Sequence, residues 1–101
     1  MGPRLALQKL LSEVLGSDKV YFQPPANITL TYPCIVYSME TFDAQNADNN
    51  NYRMHKRYQV TYISRNPESE VPNQLQALPL CSHSNRFVSD NLYHDVFTIY
   101  F

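Results

Sequence analysis

The chain has 101 residues, of which 44% are apolar and only 17% charged, with a net charge of −1. That length suits one core rather than two, and eight Tyr and five Phe beside so few charges exclude a disordered polymer. There is no broad positive field for nucleic acid, and no stretch nears the ~20 apolar residues that a membrane helix needs. A secretory signal is not expected, since the first residues lack a basic start and a long apolar run. Pro3 and Ala6 break the myristoylation pattern that Gly2 would open. The expectation is a protein made in the cytoplasm, with no membrane attachment.

The first element in chain order is an amphipathic helix over residues 4–15. Leu7, Leu10, Leu11 and Val14 recur at three- and four-residue steps, with Gln8, Lys9, Ser12 and Glu13 opposite. Pro3 suits its first turn, and Gly16 is placed to end it in a left-handed conformation. Val20-Tyr21-Phe22 reads as a short strand stopped by Pro24-Pro25. Residues 34–39, Cys-Ile-Val-Tyr-Ser-Met, form a nearly continuous apolar run, as in a strand covered on both faces. Residues 43–51 hold no large apolar group, so they predict a long exposed loop or hairpin tip.

Order resumes at Tyr52. From Arg57 to Arg65 the chain alternates, with Tyr58, Val60 and Tyr62 on one face and Gln59, Thr61 and Ile63 on the other. Asn66-Pro67-Glu68-Ser69 supplies a turn. A second helix is expected near residues 70–78, with Val71, Leu75 and Leu78 inward, Pro72 in its first turn and Pro79 ending it. Two strands follow, about 82–88 and 93–101, joined by Asp90-Asn91, whose residue types tolerate left-handed turns. The last strand is apolar enough to belong inside the sheet rather than at an edge. The predicted fold class is therefore α+β: a mostly antiparallel sheet with two helices packed on it, as one domain over 1–101.

Catalytic and metal patterns are weak. The potential ligands His55, His83, His94, Cys34 and Cys81 show only Cys81-x-His83 close together, without paired metal spacing. Cys34 sits in an apolar run as a small buried hydrophobe, and two cysteines make no disulfide scaffold, so both thiols are expected reduced and structural. Cys81, His94 and Asp95 form a triad only on paper. Two glycines in the whole chain leave no glycine-rich turn for an oxyanion hole or phosphate cradle. Asp43 and Asp48 flank the polar loop, while Glu68 and Glu70 suit a helix N-terminus better than acid–base work. We expect no enzyme, cofactor or metal.

The basic cluster of Arg53, His55, Lys56 and Arg57 after Tyr52 has two readings: a solvated strand start, or a shoulder that touches an acidic partner or nucleic acid. Without a recognition helix, sequence-specific DNA binding is not expected. The polar loop is the better candidate, because loops of that length in small domains are usually functional or disordered. The expected partner-contact segment comprises Asp43, Asn46, Asp48, Asn49, Asn50, Asn51, Tyr52, Arg53, Lys56 and Arg57.

Several strings together carry a family resemblance. They are Tyr21-x-Gln23-Pro24-Pro25, Leu30-x-Tyr32-Pro33-Cys34-Ile35-Val36-Tyr37, Ala47-Asp48-Asn49, Arg57-Tyr58-x-Val60-Thr61 and Leu78-Pro79. The last is Phe87-x-x-Asp90-Asn91-Leu92-x-His94-Asp95-Val96-Phe97-x-x-Tyr100-Phe101. They span nearly the whole chain, which resembles short phage and prophage structural proteins of the tail terminator, or tail-completion, kind from long-tailed bacteriophages. The resemblance implies a hexameric ring that caps the finished tail tube and joins the head. Its implied partners are copies of itself, the tail tube protein and a head-closure or connector protein, within the virion neck. The alternative it leaves open is a head-closure, head–tail connector or minor capsid subunit. It carries no catalytic residues.

Overall fold

A computed structural model describes residues 3–40 and 57–101 of the chain. Helix α1 runs Pro3–Leu15 and stops at Gly16, whose φ of 81° is open to glycine without strain and whose N–H donates to the Ser12 carbonyl at 2.8 Å. Leu7 and Leu11 are completely buried and Val14 packs beside them, as the periodicity requires. Leu10 stays half-buried, and Leu15 completes the apolar stripe instead. Gln8, expected on the wet face, lies at the helix–sheet seam. Its Oε1 accepts the Tyr37 hydroxyl at 2.8 Å and its Nε2 reaches the Val20 carbonyl at 3.4 Å, so the buried Tyr37 hydroxyl is satisfied.

Strands β1 (Val20–Phe22), β2 (Cys34–Met39) and β3 (Arg57–Ser64) are followed by helix α2 (Val71–Gln76), then β4 (Cys81–Ser89) and β5 (Leu92–Tyr100). They form one five-stranded sheet in the order β1-β2-β3-β5-β4. Only β1 and β2 run parallel; every other neighbouring pair is antiparallel. The α+β expectation holds, and β5 lies inside the sheet as its apolar character demands. Helix α2 is shorter than expected. It ends at Gln76, before Pro79, and the Leu78 N–H closes a tight turn onto the Leu75 carbonyl at 3.1 Å.

The pleat sorts side chains onto two faces. On one face Ile35, Tyr37, Tyr58, Val60, Tyr62, Phe97 and Ile99 pack under α1 and α2, where Leu7, Leu11 and Leu75 fill the layer. Each such Leu or Phe contributes about 1.5–3 kcal/mol through burial. Tilted aromatic contacts run through this layer, Phe22 to Tyr37 at 5.0 Å and Tyr37 to Tyr58 at 6.2 Å. On the opposite face Cys34, Ile63 and Leu92 make a second small cluster, overlaid by Tyr21, Leu30, Tyr32 and Val36. The segment after β1 thus folds back over the sheet, reaching β2 through a cis Tyr32–Pro33 peptide. This is why Cys34 and Ile35, on opposite faces, are both fully buried. The strand opens toward its end, where Met39 is exposed.

Candidate functional site

Of the expected partner-contact segment, Asp43, Asn46, Asp48, Asn49, Asn50, Asn51, Tyr52, Arg53 and Lys56 lie outside the described residues. Arg57, the last of them, begins β3. Its Nη2 donates to Glu40 Oε2 at 2.6 Å, and the Glu40 N–H donates to the Arg57 carbonyl at 2.9 Å. Hydrogen bonds that the guanidinium donates to the Tyr100 hydroxyl oxygen and to the Glu40 carboxylate hold it firmly in its charged form. Arg57 therefore clasps the two ends of the β2–β3 connection, and its charge is already answered by Glu40.

The paper triad of Cys81, His94 and Asp95 is not assembled. Adjacent residues of a strand point to opposite faces, so His94 and Asp95 are on different sides of the sheet. His94 stacks on Phe87 at 4.6 Å with an 11° tilt, and its Nδ1 lies 3.1 Å from the Leu92 carbonyl. Asp95, only 3% exposed, meets a different histidine: its Oδ1 is 3.1 Å from His83 Nε2 and 3.7 Å from Arg86 Nε. Arg86 also lies over the Tyr93 ring at 5.4 Å and donates from Nη2 to the Pro67 carbonyl at 3.0 Å. Asp95 thus staples β4 to β5 and, through Arg86, to the loop after β3.

His83 and Arg86 are three apart, an offset that puts residues of a regular strand on opposite faces. A register shift between His83 and Asn85 inserts one extra residue, and this brings both onto the face of Asp95. Nothing in the residue types announced that bulge, so the sequence does not reveal His83 and Arg86 as joint partners of Asp95. The cysteines are far apart as well. Cys34 is on β2 and Cys81 on β4, with β3 and β5 between them. Three strand spacings are about 14 Å, well beyond disulfide reach. Burial pushes the Cys34 thiol up to about 11, against a small opposing pull from Lys19, and raises the Cys81 thiol as well, which leaves both poor nucleophiles. Among the described residues no three His, Cys, Asp or Glu gather as metal ligands.

Two surfaces remain. The first is β4, where Ser82 through Ser89 are exposed and the outer side has no neighbouring strand among the described residues. Phe87 and Val88 are exposed apolar groups on its two opposite faces. Asp90 and Asn91 follow with φ of 54° and 63°, the signature of a tight two-residue hairpin turn. The second is a cleft of about 400 Å³ between the end of α1, the cis-Pro turn and the loop after β3. Leu15, Tyr32 and Val71 give it apolar walls, Ser64 and Asn66 line it with polar groups, and Arg65 lies 5.9 Å from the Tyr32 ring centroid. No protein-family model, curated protein or solved structure significantly matches the chain.

Proposed function

We propose that this chain is a structural subunit of the neck of a long-tailed bacteriophage, one that caps the completed tail tube as a hexameric ring and forms the surface the head joins. The observation that carries the reading is strand β4, a nine-residue edge exposed along nearly its whole length. Edge strands are a liability that isolated proteins shorten, cover or charge. Here the edge is long and keeps Phe87 and Val88 in water, with the bulge and Arg86 as its defences. A subunit whose edge meets another copy has a reason to keep such a surface.

The rigid sheet–helix body and the tied ends of the β2–β3 connection suit the same role. Arg57 and Glu40 fix the base from which residues 41–56 depart, and those residues supply the polar contact to the tube. The tail tube protein and a head-closure or connector protein are the partners, and the protein needs no cofactor or chemistry. Gold-labelled antibody against the protein, applied to virions of the phage or prophage that encodes it, should mark the junction of head and tail. Label confined to the capsid shell, or to the distal tail tip, would overturn the reading.

A further inference from the structure

We propose that copies of the chain join by seating the Val88–Asp90 hairpin tip of one copy in the Arg65 cleft of the next. This rests on the ring reading only in expecting copies to associate. The cleft offers a cation and hydrogen-bond donors without an acid to receive them. Among the described residues Arg65 pairs with no carboxylate, and its contact is the Tyr32 ring. Buried Ser64 accepts the Asn66 N–H at 2.9 Å, which leaves its own hydroxyl proton to donate. Beside these donors lie the apolar Leu15 and Val71. The complement is a carboxylate two residues from an apolar side chain, carried on something narrow.

The hairpin tip has that chemistry. Val88 is 60% exposed, more than any other large apolar residue in the described part, and Asp90, two residues on, has no ion pair among the described residues. The two-residue turn makes a narrow knob. Cross-strand stacking of Phe87 on His94 stiffens one face, and Arg86 over Tyr93 stiffens the other. The knob does not fill its own cleft: Ser64 pairs with Tyr93, so tip and cleft lie side by side at one end of the sheet, but none of Val88, Ser89 and Asp90 lines the cleft. Arg86 holds the loop beside the cleft through the Pro67 carbonyl. Tip and cleft are made of different residues, so a contact of one copy's tip with the next copy's cleft, repeated in one rotational sense, closes into a ring.

Charge reversal tests this with the full chain. Arg65→Glu and Asp90→Lys are prepared singly, and self-association is followed by sedimentation velocity up to about 1 mM. The wild type should associate, and each single variant should do so about tenfold more weakly or worse. An equimolar mixture of the two variants should regain wild-type association, because each tip then meets a cleft of opposite charge. Thermal melting verifies that the variants fold. Asp90→Asn, which keeps a left-handed turn, serves in place of Asp90→Lys if the lysine disturbs it, and should also weaken association. A wild type that stays monomeric throughout, variants that associate like the wild type, or a mixture that fails to recover would each overturn the contact. None of these results touches the location of the protein in the virion, since a ring closed through other surfaces would still be labelled at the neck.

Discussion

Asp95 is the residue whose surroundings matter most for how the sheet is held. A carboxylate 3% exposed is costly to bury unless charged or donor groups answer it. His83 and Arg86 do so, both from the neighbouring strand. Because these partners are themselves partly exposed, solvent screens the pairing and the net contribution is modest. Asp95→Asn keeps the shape and removes the charge. We expect a loss of about 1–2 kcal/mol, read as a lower urea midpoint at pH 7 with an unchanged slope. An unchanged midpoint would show that the His83–Asp95–Arg86 staple adds nothing to the fold. At the same scale, Cys34 and Cys81 act as packing groups, one fully buried and one at the core margin.

Among the elements, the β4–β5 hairpin connects sequence to the proposed assembly most directly. Its turn was legible in the residue types, because Asp and Asn tolerate the positive φ that both positions adopt. A β-branched residue does not. Asn91→Val should destabilise the protein by about 1–2 kcal/mol, whereas Asn91→Gly should match the wild type or exceed it by a few tenths of a kcal/mol. Chemical denaturation of the two variants measures the difference, and equal stabilities would mean the turn is not left-handed. Much else at this scale could be read in the same way. The leucine spacing of α1, the alternation of Tyr58, Val60 and Tyr62, and the interior place of β5 all follow from periodicity and hydrophobicity. The bulge in β4 did not show, because an exposed strand of Ser, His and Asn carries no apolar pattern to fix its register. The Arg65 cleft was also hidden. Its walls come from α1, the segment before β2, and the loop after β3, which only the tertiary fold brings together.

For the whole molecule, the arrangement is asymmetric. One sheet face carries both helices and the main core, the other is partly covered by the segment before β2, and one long edge is left to solvent. Such a body is complete as a fold but unfinished as a surface, and under the proposed function association with further copies at the upper end of a tail tube would complete it. The most direct measurement is electron microscopy of particles from the phage or induced prophage lacking only this gene. The account predicts overlong tail tubes of variable length beside separate, filled heads. Tails of normal length beside heads that leak DNA would contradict tail capping and move the protein to the head side of the neck, and fully infectious particles would contradict a neck role altogether.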